Sequence, residues 1–267
     1  MIPKVIHYCW FGRGKKNAKF EMCLASWKKH LPEYQFKEWN EDNFDINSVP
    51  YVKEAYECRK WAHVTDYVRV YALYHEGGVY MDCDVEVLKP LDRFLDDVAF
   101  TGYEPVGHPL TGIMASVKGG KWVEDLMHDY DGRHFIDEDG NPDLTQNTTY
   151  AHQVMERAGM RLDRTEENVP GYVHVYPADF FCPKIWGEKK FDTTENTYTI
   201  HHYISSWLPF HGKVERWFME RHLPKVGYYV GYFLRRPDIV VKDLLDFLLI
   251  KVLKVRTKSF LAENRLK

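Results

Sequence analysis

The sequence has little cysteine, no strong excess of one charge and no long apolar run. Its 267 residues include five cysteines, none in a CxxC spacing, so we expect neither a disulfide framework nor a cysteine metal site. The net charge of -3 lacks the basic footprint of a nucleic-acid-binding protein. No stretch reaches the roughly 20 apolar residues that span a bilayer, and residues 1–12 show no secretory signal pattern. We therefore expect a cytoplasmic protein with reduced thiols and no nucleic-acid partner.

The order of apolar segments predicts an α/β fold. Strands are predicted at 2–12, 34–40, 79–88 and 98–102. A helix is predicted at 17–30, and one or two helices at 53–76, where two glycines stop the run. This alternation favours a mostly parallel sheet with helices on both faces, in which ligands bind at the carboxyl ends of strands. The polar, glycine-bearing stretch 131–149 is predicted to be a long loop of the kind that often carries function.

Two aspartates interrupt the apolar segment GGVYMDCDVEVL at 77–88. Side chains alternate along a strand, so Asp82 and Asp84 should point to one side and Cys83 to the other. Two carboxylates that close repel unless a cation lies between them. Oxygen ligands favour Mg²⁺ or Mn²⁺, ions that also bind phosphate oxygens. Taken alone, the pattern fits two solvated aspartates at a strand end equally well.

Other residues suit the same site. Asp66 and Arg69, three apart, should share a helix face; they form either an internal salt bridge or a pair that holds ribose hydroxyls and clamps phosphate. Tyr80 lies on the predicted strand just before the aspartates. Downstream, either His201 or His202 offers a further metal ligand, although a histidine pair is also common as plain structure.

Three segments together carry a family resemblance. IPKVIHYCWFG, WAHVTDYVRVYALYHEGGVYMDCDVEVL and IHHYISSW resemble the glycosyltransferases of family 32, whose sugar-binding region contains a DXD motif. The family includes yeast-type initiating mannosyltransferases and bacterial capsule and lipopolysaccharide enzymes, and the motif order recurs in the glucosyltransferase domains of large clostridial toxins. The resemblance covers about residues 1–100 and 200–207. It implies a GT-A fold, a nucleotide-sugar donor, a divalent cation (Mn²⁺ or Mg²⁺) and transfer with retention at the anomeric carbon.

The resemblance also implies roles for individual residues. By position, Trp10 would stack on the nucleobase, which favours a UDP-sugar, and Tyr80 would touch the phosphates. Asp66 would bind ribose or sugar hydroxyls, and Arg69 the diphosphate or the sugar. The DXD pair, Asp82 and Asp84, would bind the metal, and Asp84 is favoured over Asp82 as the direct ligand. The catalytic set would therefore be Asp66, Arg69, Asp82 and Asp84.

The remaining implied contacts come from later in the chain. A histidine would take the third ligand position, where the toxins have Glu; His202 fits the spacing to Trp207, with His201 as the alternative. Ser205 or Ser206 and Trp207 would contact the diphosphate. Donor choice would depend on the middle region, including Gln146 and Asn147.

The C-terminal part differs from the rest. We predict a catalytic domain at 1–215 and a helical, basic extension at 216–267. The apolar and cationic segment 237–258 predicts either peripheral contact with the inner face of the plasma membrane or packing on the domain. Membrane contact would suit a saccharide acceptor on a lipid carrier, as in capsule or O-antigen assembly.

Two other functions fit the same aspartates. A metal-dependent phosphotransferase or phosphatase is one, although no GxxxxGK[ST] loop is present for an ATP-dependent version. A nucleotide-sugar-binding module without turnover is the other. Intact Asp82, Asp84 and Arg69 argue against a decayed site, so a hexosyltransferase is the leading hypothesis.

Overall fold

The structure is a computed structural model, and it describes residues 1–185, 190–204, 208 and 210–235. Within these ranges the strands are Val5–Cys9 (β1), Gln35–Trp39 (β2), Gly78–Met81 (β3), Val85–Val87 (β4), Ala99–Gly102 (β5), Ile113–Ser116 (β6), Glu167–Val169 (β7), Val173–Tyr176 (β8) and Thr199–His201 (β9). The helices are Ala18–His30 (α1), Pro50–Glu57 (α2), Trp61–Glu76 (α3), Lys121–His128 (α4), Asn147–Arg157 (α5), Ala178–Phe181 (α6), Phe210–Met219 (α7) and Pro224–Arg235 (α8).

Seven strands form one sheet in the order β2-β1-β3-β6-β5-β8-β7, and β4 and β9 form a second. In the large sheet β1 pairs in parallel with β2 and β3, and β5 with β8, whereas β6 and β7 run against their neighbours. Five of the seven strands therefore point the same way. The predicted α/β class, with a mixed and mostly parallel sheet, is confirmed.

Helices cover both faces of this sheet because alternate strand residues point to opposite sides. Tyr80 of β3 and Met114 of β6 belong to a core shared with α2, α3, α4 and α5. Val79 and Met81, the neighbours of Tyr80 along β3, belong to a second core shared with α1. Each turn of α3 thus lies against the same face as Tyr80, which places the polar residues of that helix beside β3.

The predicted helices form close to their expected limits. The side chain of Asn17 accepts a hydrogen bond from the Phe20 amide and caps the start of α1. The region predicted as one or two helices is two, since α2 starts with Pro50 at its first position and ends at Glu57. The stretch predicted as a loop at 131–149 is helical from Asn147 onward, where α5 begins.

The two glycines between α3 and β3 make a corner that other residues could not fit. Gly77 and Gly78 have φ of 70° and 113°, a region that disfavours side chains. A Cβ on Gly78 would lie 2.7 Å from the Val5 carbonyl oxygen. The buried ring of His7 closes the corner: its Nε2 lies 2.8 Å from the Gly77 carbonyl oxygen, and its Nδ1 accepts a hydrogen bond from Trp39 Nε1 at 3.0 Å. Nδ1 is therefore the acceptor, and Nε2 carries the proton that it donates to Gly77.

The prediction of one strand at 79–88 is wrong. The chain leaves the large sheet after Met81, and residues Val85–Val87 pair instead with Thr199–His201 in the small antiparallel sheet. Asp82, Cys83 and Asp84 form the turn between the two sheets. Aspartate is poorly suited to strands and common in turns, which accounts for the break.

The chain divides into two compact units, Met1–Trp207 and Leu208–Lys267. The predicted domain boundary at 215/216 remains a prediction, as does the membrane contact through 237–258, which lies outside the described residues. In the described part of the second unit, α7 and α8 pack against each other. Within the described residues no helix combines the length and apolarity needed to cross a bilayer.

We expect replacement of His7 by leucine to lower the free energy of unfolding by about 2–4 kcal/mol at pH 7.5, since two buried polar groups would lose their partner. Burial lowers the pKa of His7. In the wild type the unfolded chain therefore takes up a proton near pH 6.5 that the folded chain does not, and this lowers stability as the pH falls. The variant should lack this contribution. Urea unfolding at pH 7.5 and 5.5 measures both effects.

The control is His75→Leu, at an exposed position of α3, which should keep wild-type stability within about 0.5 kcal/mol. A His7→Leu protein with the stability and pH dependence of the wild type would contradict the assigned hydrogen bonds.

Candidate functional site

The turn Asp82–Cys83–Asp84 is held at both ends by backbone hydrogen bonds. The Asp82 amide donates to the Gly112 carbonyl at 2.8 Å, and the Val85 amide donates back to the Asp82 carbonyl at 3.0 Å. The Cys83 thiol lies 3.3 Å from the Cys9 carbonyl at the end of β1. The two carboxylates converge because the chain turns here. The sequence pattern predicts instead that they converge through the pleat of one continuous strand.

His201 joins the two aspartates. It pairs with Val85 in the β4–β9 register, so its side chain lies beside the turn. Its Nε2 lies 3.3 Å from Asp84 Oδ1 and 3.9 Å from Asp82 Oδ2. One ligand atom from each of the three residues lies within 4.8 Å of the others. Two carboxylates and one imidazole are ligands that divalent ions such as Mn²⁺ accept, so the described residues contain a site that fits such a cation.

His202 lies elsewhere. Its Nε2 is 2.8 Å from Glu86 Oε2, and its backbone amide donates to the Asp84 carbonyl at 3.0 Å. Successive residues of an extended chain point to opposite sides, and β4 supplies Glu86 on that other side. Of the two histidines that the sequence left open, the structure brings His201 to the aspartates and places His202 beside Glu86.

The charges within this cluster oppose one another. Burial favours the neutral form of Asp84, but the His201 charge and hydrogen bonds from His201 and the Ile204 amide hold its pKa at about 2. Burial also opposes a charge on His201, yet Asp84 raises the pKa of that ring well above its usual value. Without a cation, a protonated His201 thus supplies the positive charge that the carboxylates need.

Arg69 links the helix α3 to the turn. Its guanidinium donates to Asp66 Oδ1 at 2.8 Å and to the Thr111 carbonyl at 2.7 Å, and it lies 3.5 Å from Asp82 Oδ1. The same group lies over the Tyr80 ring, 4.8 Å from its centroid. The internal salt bridge that the sequence allowed is therefore present, and it is continuous with the DXD turn.

Tyr80 and Asp66 complete this polar network. The Tyr80 hydroxyl donates to Asp82 Oδ1 at 2.8 Å, as expected for side chains two positions apart. Burial raises the pKa of Asp66 to about 7, although Arg69 acts to lower it. Asp66 is a carboxyl group that titrates near neutral pH and that is tied by hydrogen bonds to the neighbouring cation.

Asn147 reaches the network from the start of α5. Its Nδ2 donates to Asp66 Oδ1 at 2.7 Å, and its Oδ1 accepts from the Thr111 hydroxyl at 3.0 Å. The neighbouring Gln146 precedes the helix at an exposed position. The structure thus brings Asn147, and not the side chain of Gln146, into contact with Asp66.

Trp10 lies just beyond the end of β1. The ring is half-exposed, its Nε1 donates to the Gly14 carbonyl at 2.8 Å, and one face packs near Phe20 with the centroids 5.4 Å apart. Trp10 lines an open cleft of about 470 Å³ together with Lys16, Glu38 and Asn40 among others. Ser205, Ser206 and Trp207 lie outside the described residues.

Two residues of this site were not predicted from the sequence. Thr111 bonds both Arg69 and Asn147. Gly112 allows close approach, since a Cβ there would lie 3.0 Å from His201 Cε1 and 3.3 Å from Asp82 Oδ2. The signal that could have shown them is the short PLTGI segment, in which a threonine and a glycine immediately precede a buried strand.

Known proteins resemble this chain in sequence and, more distantly, in structure. Residues 17–101 match the family model described as a glycosyltransferase sugar-binding region containing a DXD motif. Inositol phosphoceramide mannosyltransferase 1 of Schizosaccharomyces pombe is 29% identical over 119 residues, which cover 40% of this chain and 36% of that protein. Inositol phosphoceramide mannosyltransferase 3 of the same organism is 27% identical over 125 residues, 44% of this chain and 34% of that one.

A solved structure also aligns with this chain. It is a glycosyltransferase involved in the glycosylation of the major capsid of PBCV-1, with 15% identity, 83% of this chain and 98% of that chain covered, and a TM-score of 0.46. The chain spans only about a third of the length of the fission-yeast relatives. The matched region contains α3, β3 and the Asp82–Asp84 turn, and over that region the chain is similar to glycosyltransferases that share a DXD-containing sugar-binding region.

Proposed function

We propose that this chain is a metal-dependent hexosyltransferase that moves a sugar from a nucleoside diphosphate to a saccharide acceptor, with retention at the anomeric carbon. The observation that carries the proposal is the meeting of Asp82, Asp84 and His201 within 4.8 Å, next to the buried cation of Arg69. A diphosphate leaving group needs positive charge around it, and this arrangement would supply that charge from two directions.

Asp82, Asp84 and His201 would hold the divalent cation. When bound, the cation would neutralise charge on the diphosphate as the sugar departs. For His201 to bind it, the ring must give up the proton that Asp84 now stabilises. Its Nε2 already faces the carboxylates, so the ring need not turn over to act as a ligand.

Arg69 and Asp66 would act on the donor from the helix side. The fork of Arg69 is fixed by Asp66 and the Thr111 carbonyl, so its charge is oriented before the donor arrives. Asp66 Oδ1 accepts hydrogen bonds from Arg69 and Asn147, and Oδ2 would be the acceptor for a sugar or ribose hydroxyl. Asn147 would thereby affect which sugar fits.

Trp10 would stack on the nucleobase. The cleft that it lines lies at the carboxyl end of β1, where α/β sheets commonly bind nucleotides. The fit to a UDP-sugar rests on the position of this tryptophan in the family resemblance. The proposed diphosphate contacts of Ser205, Ser206 and Trp207, and the sugar contact of Gln146, remain predictions.

The acceptor is proposed to be a saccharide on a lipid carrier, in surface polysaccharide assembly at the cytoplasmic face of the membrane. By their names, the fission-yeast relatives transfer mannose to inositol phosphoceramide, a sphingolipid. Their names favour a lipid-borne acceptor and make GDP-mannose a donor that must be tested beside the UDP-sugars.

We expect His201→Gln to weaken Mn²⁺ binding by roughly 10–100-fold, because one of the three converging ligands is lost. His202→Gln is the matched control. It removes the adjacent histidine, which lies beside Glu86, and should stay within about twofold of the wild type. Electron paramagnetic resonance of free Mn²⁺ measures both affinities. Loss of binding in His202→Gln alone would contradict the assigned ligand.

Donor hydrolysis should require the cation and the DXD turn. With Mn²⁺, we expect one sugar from a panel of UDP-sugars and GDP-mannose to be hydrolysed, and chelator to stop the reaction. Asp84→Asn keeps the size of the side chain but removes its charge, and it should lower the rate by about 100-fold or more. Glu86→Gln, two positions along the chain, should retain most of the rate. The assay is release of free UDP or GDP.

Three outcomes of that panel exclude the proposal or narrow it. Hydrolysis that survives both chelator and Asp84→Asn would contradict a metal-dependent site. Metal-dependent nucleotide binding without turnover, even with saccharide acceptors added, would favour a binding module. Release of inorganic phosphate from the nucleotide, in place of sugar transfer, would favour the phosphotransferase alternative.

Arg69→Lys should lower the rate of sugar transfer by about 100-fold, because an ammonium cannot replace the planar fork that joins Asp66, Thr111 and the turn. The reduction should fall on kcat more than on the donor KM. Arg161→Lys, a surface arginine paired with Asp163, is the control. Thermal melting of both variants separates loss of catalysis from loss of the fold, and a folded Arg69→Lys protein with wild-type kcat would exclude the role.

A further inference from the structure

The helices α7 and α8 form a hairpin with a tightly packed inner side. Gly227 and Gly231 of α8, four residues apart, are buried. A Cβ on Gly227 would lie 2.8 Å from Phe218 Cβ, and one on Gly231 would overlap the Glu215 carboxylate. Small residues at this spacing let two helices approach closely. Arg235 also reaches across to Glu215 at 3.0 Å, so the inner side of the hairpin is occupied by its own contacts.

The outer side of the hairpin is aromatic and exposed. On α8, Tyr229 and Phe233 lie about 120° or more around the helix axis from the two glycines, and they are 70% and 42% exposed. On α7, Phe210 and Trp217, two turns apart, are 72% and 50% exposed. Further exposed apolar side chains of the same hairpin are Leu223, Val226, Tyr228, Tyr232 and Leu234. A soluble surface rarely groups so many large apolar side chains without a partner.

Cations surround these aromatic side chains. Residues 210–235 contain five Lys and Arg against two Asp and Glu, and both acids are paired, Glu220 with Arg216 and Glu215 with Arg235. Lys213, Lys225 and Arg221 are exposed. The guanidinium of Arg221 lies over the Trp217 ring, 3.7 Å from its centroid. The outer side of the hairpin thus combines an apolar surface with positive charge.

Charge decides among the candidate occupants of this surface. A second copy of the hairpin would bring two positive surfaces together, which is unfavourable. Residues 251–267 carry six Lys and Arg against one Glu, so that part of the chain is also positive. Residues 237–250 carry one Lys and three Asp and are the competing occupant within the chain; if they cover the surface, the protein will not bind anionic vesicles. An anionic phospholipid surface has the opposite charge and an interfacial region in which tyrosine and tryptophan are stable.

We propose that the outer side of the α7–α8 hairpin is a binding surface for anionic phospholipid membranes, with Trp217, Tyr229 and Phe233 inserted at the interface and Lys213 and Lys225 facing the headgroups. This site is distinct from the segment 237–258. The proposal does not depend on the transferase activity, because its test measures lipid binding alone.

The test is co-sedimentation of the full chain with vesicles of phosphatidylcholine alone and of phosphatidylcholine mixed with phosphatidylglycerol. The wild type should bind the mixed vesicles, and salt should weaken that binding. Lys213→Gln with Lys225→Gln should lower the partition coefficient by roughly thirtyfold. Tyr229→Ser with Phe233→Ser should reduce it as well, because the inserted apolar area is lost.

Two control variants make the result specific. Val106→Ser with Leu144→Ser changes exposed apolar side chains of the first unit and should bind as the wild type does. Lys251→Gln with Lys254→Gln changes the other basic segment. Circular dichroism and donor hydrolysis in solution should be unchanged in the two hairpin variants.

Three results would overturn the proposal. The first is a wild type that ignores anionic vesicles. The second is binding that falls in the Lys251 and Lys254 variant and not in the hairpin variants, which would assign the contact to the later segment. The third is concentration-dependent dimerisation without lipid that the Tyr229 and Phe233 variant abolishes, which would assign the surface to a second copy.

Discussion

Mutual repulsion among carboxylates is the constraint around which the site is built. Asp66 and Asp84 are largely buried and Asp82 is partly exposed, and carboxylates grouped in this way are stabilised by positive charge among them. Arg69 lies between Asp66 and Asp82. His201 lies against Asp82 and Asp84. Each cation is on a different element, α3 or β9, so the folding of both elements is needed before the DXD turn is electrostatically stable.

The backbone around the turn positions these charged groups close to one another. The corner at Gly77 and Gly78, closed by His7, sets how α3 returns along β3 and hence where Arg69 points. After the break at Met81 the chain forms β4, which pairs with β9, and this pairing places His201 beside the two aspartates. On the remaining side, the Thr111 carbonyl accepts from Arg69 and the Thr111 hydroxyl donates to Asn147. Gly112, which has no side chain, leaves room there for His201 and Asp82. The functional groups are simple, and their precision comes from the strands and helix that carry them.

Local patterns were sufficient for much of this arrangement. The alternation of elements predicted the α/β class, and the helix that ends at the two glycines formed as expected. The convergence of the aspartates was predicted for the wrong reason, because a pleated strand and a tight turn can both align residues two apart. Which of His201 and His202 faces the aspartates depends on how β9 pairs with β4. That pairing joins distant parts of the sequence, since Glu86 and His202 are 116 residues apart along the chain. The place of Asn147 likewise depends on tertiary packing against Asp66, which no local pattern contains.

The pairing of β4 with β9 has a consequence for stability as well as for chemistry. A divalent ion held by Asp84 and His201 would connect two segments that are far apart along the chain, and so it would act as a reversible cross-link. In the unfolded chain Asp84 and His201 are not held together, so the unfolded chain would bind the ion only weakly. The bound ion would therefore stabilise the folded chain relative to the unfolded chain, and this stabilisation would increase with the concentration of free metal.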